Sequence, residues 1–139
     1  MKIHVVDNTG QIPPLLLMSE EDVSFYNDEI QALNAAEAQQ PSLILLSFSL
    51  RGDETPDYIG LLLNASPASK IVVIGDEIGE DRILNCLLAG SRGYQNSGPL
   101  SGYLAKMIQV VADGEAWVSR RMVGRLLDVI SQSNLVLSV

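Results

Sequence analysis

Two uninterrupted apolar runs, Leu43-Ile44-Leu45-Leu46 and Ile71-Val72-Val73-Ile74, constrain this chain more than any other feature. A strand with one wet face alternates apolar and polar residues, whereas a strand covered on both faces reads as continuous Val, Ile and Leu. Both runs therefore belong in the interior of a parallel sheet with helices on each side. Between them, Thr55 and Pro56 read as the N-cap and first position of a helix through Leu61, Leu62 and Leu63. A helix between two buried strands is the crossover that a parallel pair requires.

The remaining pattern extends the alternation in both directions. Lys2 to Val6 is an apolar strand ending in Asp7-Asn8-Thr9-Gly10, and Val23 to Tyr26 is a second short strand. Asn27 reads as the cap of a helix reaching Gln39, with Asp28 and Glu29 at its positive end. Asp81 opens a helix with Ile83, Leu84, Leu87 and Leu88 on one face, closed by Gly90. A strand at Gly93 to Gln95 is followed by a helix carrying Leu100, Leu104, Met107, Ile108 and Val111, closed by Asp113-Gly114. Ser119 caps a last helix with Val123, Leu126, Leu127 and Ile130. The expectation is an α/β fold of the flavodoxin-like kind, a five-stranded parallel sheet in the order 2-1-3-4-5 with helices on both faces. Gly10, Pro13 and Pro14 shorten the first helix, which is expected to start near Pro13 and to leave Leu15, Leu16 and Leu17 exposed.

Composition narrows the function classes. A chain of 139 residues suits one folded domain. Its apolar runs are too short to cross a bilayer, and no signal peptide follows Met1-Lys2-Ile3, so the expected location is cytoplasmic. A formal net charge of −8 argues against direct nucleic-acid binding, which needs clustered cations. Arg120, Arg121 and Arg125 form the densest basic group and read as a solvated helix face. The single cysteine, Cys86, lies in an apolar helical pattern and reads as a small buried hydrophobe.

In an open parallel sheet, ligands sit beyond the carboxyl ends of the strands, near the switch point between the first and third. That rule singles out Asp7-Asn8, Ser47-Phe48, Gly75-Asp76 and Asn96-Ser97. The segments Pro41 to Ser47, Leu88 to Tyr94 and Ala112 to Ser119 resemble response-regulator receiver domains of the NarL/LuxR type. The resemblance runs over about residues 2 to 131 and is weakest from Gln11 to Ser24.

In that family an acidic pair after the first strand holds Mg²⁺, an Asp at the end of the third strand accepts a phosphoryl group, and a hydroxyl and a Lys bind the new oxygens. Set against that pattern, Asp7 keeps the first acidic position and Asn8 replaces the second. Ser47 stands in place of the acceptor, Gly75 in place of the hydroxyl residue and Ser97 in place of the Lys. Four of five matching positions differ, which implies a degenerate phosphoacceptor pocket, a pseudo-receiver, and a chain that is not an enzyme. A register shift in the third strand brings only Leu46 or Phe48 to the acceptor position; the nearest carboxylate beyond is Asp53. Ser47 lacks a general base, because the one histidine, His4, lies within the first strand. No catalytic residue, metal site or cofactor is expected; Asp76 and Glu77 read as solvent-facing rather than as metal ligands beside Asp7.

Tyr94 matches the aromatic that in the family changes rotamer with phosphorylation, and otherwise reads as a half-buried strand tyrosine. Trp117 reads as a packing anchor between the last two helices. The resemblance implies a receiver-like domain at 1–118 and a linker helix with tail at 119–139 leading to a helix-turn-helix domain absent from this chain, the only part that would touch DNA. A homodimer is the expected assembly, through the fourth or fifth helix of the fold or the first and fifth. The competing expectations are a small-molecule sensor using the crevice emptied by Ser47, Gly75 and Ser97, or a stand-alone protein-interaction domain.

Overall fold

The computed structural model describes residues 1–12 and 22–133. Lys2–Val6 (β1), Asp22–Tyr26 (β2), Leu43–Ser47 (β3), Lys70–Gly75 (β4) and Gly93–Asn96 (β5) pair in parallel in the order β2-β1-β3-β4-β5. The helices are Glu29–Gln39 (α1), Thr55–Ala65 (α2), Glu80–Leu88 (α3), Leu100–Ala112 (α4) and Arg120–Ser133 (α5). Two short 3₁₀ turns, Phe48–Leu50 and Gly52–Glu54, join β3 to α2. The expected sheet and strand order are therefore observed. The shortened first helix and the leucines at 15 to 17 lie outside the described residues, as does the tail after Ser133.

Strand periodicity sorts the core onto two faces. Ile3, Val5, Leu43, Leu45, Val72 and Ile74 point to one side, where Leu100, Leu104, Met107, Ile108 and Val111 of α4 cover them. Val6, Ile44, Leu46, Ile71 and Val73 point to the other, beneath Ala32 and Ala36 of α1, Tyr58, Ile59 and Leu62 of α2 and Cys86 of α3. The continuous runs are explained: both alternating sets of side chains have a layer to enter. Cys86 is buried as expected, and burial pushes its thiol up to about 11.

Helix entries differ from the sequence reading in three places. Asp28, not Asn27, caps α1, its Oδ2 accepting from the amide of Gln31 at 3.2 Å. Thr55 is already helical; its hydroxyl donates to the carbonyl of Gly52 at 2.6 Å, and Glu54 occupies the cap without a side-chain bond. The helix expected from Asp81 starts at Glu80, after Gly79. At α1 two polar residues are adjacent, and the turn preceding the helix, invisible in a local pattern, decides which one caps; α2 and α3 are entered from Glu54 and Gly79 without a side-chain cap. Ser119 does cap α5, accepting from the amide of Met122 at 3.2 Å.

α5 makes its own small core. Met122 is buried with Leu84 and Leu87 of α3, with Ile83, Val118, Leu126 and Val129 around them. Arg121 and Arg125 reach across to Glu80, and Arg125 also to Asp81 at 2.7 Å. The basic group is thus largely engaged in ion pairs with α3 rather than facing solvent alone. Trp117 also does more than pack between helices. Its amide donates to Arg92 O at 2.9 Å and its carbonyl accepts from the Tyr94 amide at 3.0 Å, which adds a one-residue parallel bridge to the free edge of β5. The indole donates to Gln95 Oε1 at 2.9 Å, and its ring lies 6.2 Å from that of Tyr103 on α4. Among the described residues, no helix is long and apolar enough to cross a membrane.

Candidate functional site

The parallel register levels the carboxyl ends of four strands. Val6 pairs with Leu46, Ser47 with Ile74 and Gly75 with Asn96, so the residues that follow meet at one edge of the sheet. Asp7, Asn8, Ser47, Gly75 and Ser97 are brought to this edge, as the strand arithmetic requires. Their hydrogen bonds define what they can do.

Asp7 is nearly fully buried, and both of its carboxylate oxygens are engaged by its own turn. Oδ1 accepts from the Thr9 amide at 3.0 Å and the Thr9 hydroxyl at 2.6 Å, while Oδ2 accepts from the Gly10 amide at 3.0 Å. This is the local carboxylate-to-backbone pattern that short acidic residues form after strands. Asn8 turns instead toward β3: its Oδ1 accepts from the Ser49 hydroxyl at 2.7 Å. Ser49 in turn lies 2.9 Å from the Ser47 hydroxyl, so Ser47, Ser49 and Asn8 form one neutral chain across the mouth of β1 and β3. Ser47 is 4% exposed.

Gly75 is the tightest point. A Cβ there would stand 2.8 Å from Ile78 Cγ2, 3.2 Å from the Tyr94 hydroxyl and 3.3 Å from Phe48 Cβ. The volume beside the end of β4 is already filled by these neighbours. The Tyr94 hydroxyl donates to Asn96 Oδ1 at 2.6 Å, and burial, against a partly opposing pull from the nearby Ile78 and Glu77 amides, holds its pKa above that of an ordinary tyrosine. Tyr94 is thereby aimed across Gly75 rather than out to solvent. The Ser97 amide donates to the Gly75 carbonyl at 2.8 Å, tying the end of β5 to β4. What remains is a cavity of about 200 Å³ bordered by Ser47, Ser49, Ile74, Gly75 and Ser97, below the roughly 300 Å³ at which small-molecule pockets begin.

These groups do not suit Mg²⁺. A small hard cation with octahedral demands is held by carboxylates and phosphate oxygens. Here Asp7 is committed to three turn donors and its neighbours are an amide and two hydroxyls, while the other carboxylate at the strand ends, Asp76, is exposed at the border of the small cavity. Asp53 does not substitute, because it pairs with Arg82 at 2.6 Å. Among the described residues, no group of three His, Cys, Asp or Glu side chains is placed to hold a metal. His4 is distant in role as well: it is buried with Nε2 3.1 Å from Gln39 Oε1, its ring 5.0 Å from that of Tyr26.

Ser49, Thr9 and Ile78 were not singled out from the sequence. Ser49 follows Ser47 by two positions in a 3₁₀ turn that the sequence pattern does not reveal. Thr9 carried a usable signal, since Asp-x-Thr after a strand is a turn with side-chain to backbone bonds.

No protein-family model and no curated protein matches the sequence. Solved structures do match. The isolated receiver domain of RcsB from Salmonella enterica serovar Typhimurium superposes with a TM-score of 0.78 at 16% identity, covering 92% of this chain and 98% of that one. A LuxR family DNA-binding response regulator from Silicibacter pomeroyi gives 0.72 at 22% identity, over 87% of this chain and 98% of that one. The signal receiver domain of the putative response regulator NarL from Mycobacterium tuberculosis gives 0.68 at 17% identity, over 82% and 97%.

This chain has the receiver-domain fold. Within that fold the crevice beyond β1 and β3 is the ligand-binding position by sheet topology, and the arrangement above is what this chain places there.

Proposed function

We propose that the chain is a pseudo-receiver: a regulatory module of the response-regulator kind that works without aspartyl phosphorylation, as a homodimer, and not as an enzyme. The observation that carries this reading is the commitment of both Asp7 oxygens to the turn of Thr9 and Gly10 while Ser47 stands at the end of β3 within a neutral hydroxyl chain. A carboxylate nucleophile, a second acidic metal ligand, a receiving hydroxyl and an ammonium are all replaced. Losing one such group tunes a phosphotransfer; losing four removes it.

The filled space at Gly75 supports the same reading. Tyr94, the position that the resemblance marks as a switch, has its hydroxyl over Gly75. Association is favoured by the outer side of α5, where Val123 and Leu127 lie one turn apart, 41% and 57% exposed. Residues 119–139 serve in this reading as the linker helix and tail, and DNA contact falls to a separate helix-turn-helix domain. The cavity of about 200 Å³ beside Ser47, Gly75 and Ser97 is too small to favour small-molecule sensing at that point.

The test is sedimentation across a concentration series, with and without Mg²⁺ and beryllofluoride, combined with Ser47→Asp treated with acetyl phosphate. The expected result is a dimer indifferent to the phosphoryl mimic, and a variant that stays unlabelled because Asn8, Gly75 and Ser97 are unchanged. A mimic-driven shift in assembly, or ready labelling of the variant, overturns the reading.

A further inference from the structure

A larger opening lies on the far side of Tyr94. It is a cavity of about 800 Å³ between the β4–α3 loop, the end of β5, the segment from Glu115 to Ser119 and the start of α5. That size falls within the roughly 300–1,000 Å³ typical of sites for small organic ligands. Its floor is apolar: Ile83, Val110, Val118 and Met122 line it together with the rings of Tyr94 and Trp117.

The polar groups around this floor divide sharply. The neutral ones are already bonded within the protein. Tyr94 donates to Asn96, Gln95 both accepts from Trp117 and donates to the Asn96 carbonyl, and Ser119 caps α5. Glu80 is paired with Arg121 and Arg125. Glu77 and Glu115 differ: among the described residues, neither takes part in an ion pair or a side-chain hydrogen bond, and no Lys or Arg lines the cavity. The uncompensated chemistry of the site is therefore two carboxylates at the rim of an apolar, aromatic floor.

One further feature fits a ligand rather than an idle surface. The Trp117 ring is fixed from two sides, by its backbone bridge to the sheet edge and by its indole bond to Gln95, so an aromatic wall is in place before anything binds.

We propose that this cavity binds a small amphipathic cation, an organic ammonium with a compact apolar body. The body would fill the floor of Ile83, Val118, Met122 and Trp117. The ammonium would be held by Glu77 and Glu115 and by the faces of the two aromatic rings. Tyr94 belongs both to this wall and to the space over Gly75, so occupancy of the cavity reaches the crevice at the ends of β3 and β4 through one side chain. The proposal goes beyond the pseudo-receiver reading and stands independently of it.

The chain contains one tryptophan, so its emission reports on this cavity alone. The test titrates the full chain with 1-adamantylammonium, with the isosteric 1-adamantanol and with adamantane-1-carboxylate, following Trp117 fluorescence and the heat of binding. The ammonium is expected to saturate in the millimolar range or below, about threefold or more tighter than the alcohol, with the carboxylate weakest. The preference should shrink as salt is raised, because both glutamates are exposed. In Glu77→Gln/Glu115→Gln the three compounds should bind alike with the fold unchanged by circular dichroism. Absence of a saturable response to the ammonium up to about 10 mM overturns the proposal. So does equal binding of all three compounds to the unaltered chain, or a preference for the cation that survives in the double variant.

Discussion

The hydroxyl of Tyr94 lies 3.2 Å from the point at which a side chain would leave Gly75. The two positions are coupled by volume: the tyrosine reaches inward because residue 75 has no Cβ, and residue 75 can carry none while the tyrosine and Ile78 remain where they are.

Gly75→Thr is expected to destabilise the chain by about 1–3 kcal/mol, the usual cost of forcing extra atoms into a packed site. The closest obstacle is Ile78 Cγ2, at 2.8 Å from the would-be Cβ. Shortening that side chain in Ile78→Ala should therefore reduce the cost of Gly75→Thr by about 1 kcal/mol, the coupling expected of residues in contact. Urea denaturation of the four members of this cycle measures it, and strict additivity would show that the space over Gly75 is not shared as described.

Much of the framework was legible because it rests on local periodicity. Leu43 to Leu46 and Ile71 to Ile74 announce doubly covered strands, and the helical stripe from Leu100 to Val111 announces the layer above one face. Strand ends alone singled out four residue pairs at one edge of the sheet, and the resemblance to receiver domains narrowed them to five positions. What the sequence could not show depends on contacts between distant segments. Asp28 wins the cap from Asn27, and Ser49 bridges to Asn8 across a gap of 41 positions. Trp117 extends the sheet edge through its backbone, which carries no residue signature. The ion pairs of Arg121 and Arg125 needed α3 and α5 side by side, which no spacing within α5 encodes.

His4 links stability to pH. Its ring is buried, Nδ1 has no hydrogen-bond partner among the described residues, and burial lowers its pKa below 6.5; the bond to Gln39 and the charge of Asp22 oppose this only in part, while Lys2 adds to it. The unfolded imidazole, titrating near 6.5, thus takes up a proton that the folded ring refuses. Where the unfolded state binds more protons, stability rises with pH. The His4 contribution is therefore complete above about pH 6.5 and is lost as the pH falls from there through the lowered folded value. Urea midpoints measured from pH 8 to pH 5 should fall in the acid limb, and His4→Phe, which cannot be protonated, should flatten that limb. An unchanged acid limb in the variant would place the pH dependence elsewhere.

α5 is held to the receiver fold chiefly by Met122, which is 4% exposed between Leu84 and Leu87, with the Arg121 and Arg125 ion pairs at its border. Truncating a buried methionine to alanine costs about 2–5 kcal/mol where the cavity cannot close, and here nearly all of that cost falls on the contact between α3 and α5. Met122→Ala should therefore raise hydrogen exchange in residues 120–133 by about 30-fold or more, while the amides of β1, β3 and β4 keep their protection. Arg125→Ala should have a much smaller effect, since its ion pairs are solvent-exposed and weakened by screening. The contrast between the two variants separates apolar docking from charge pairing. Equal loosening by both would mean that the ion pairs, not the Met122 contact, seat the helix, and uniform loss of protection across the sheet would mean that α5 is integral to the main core.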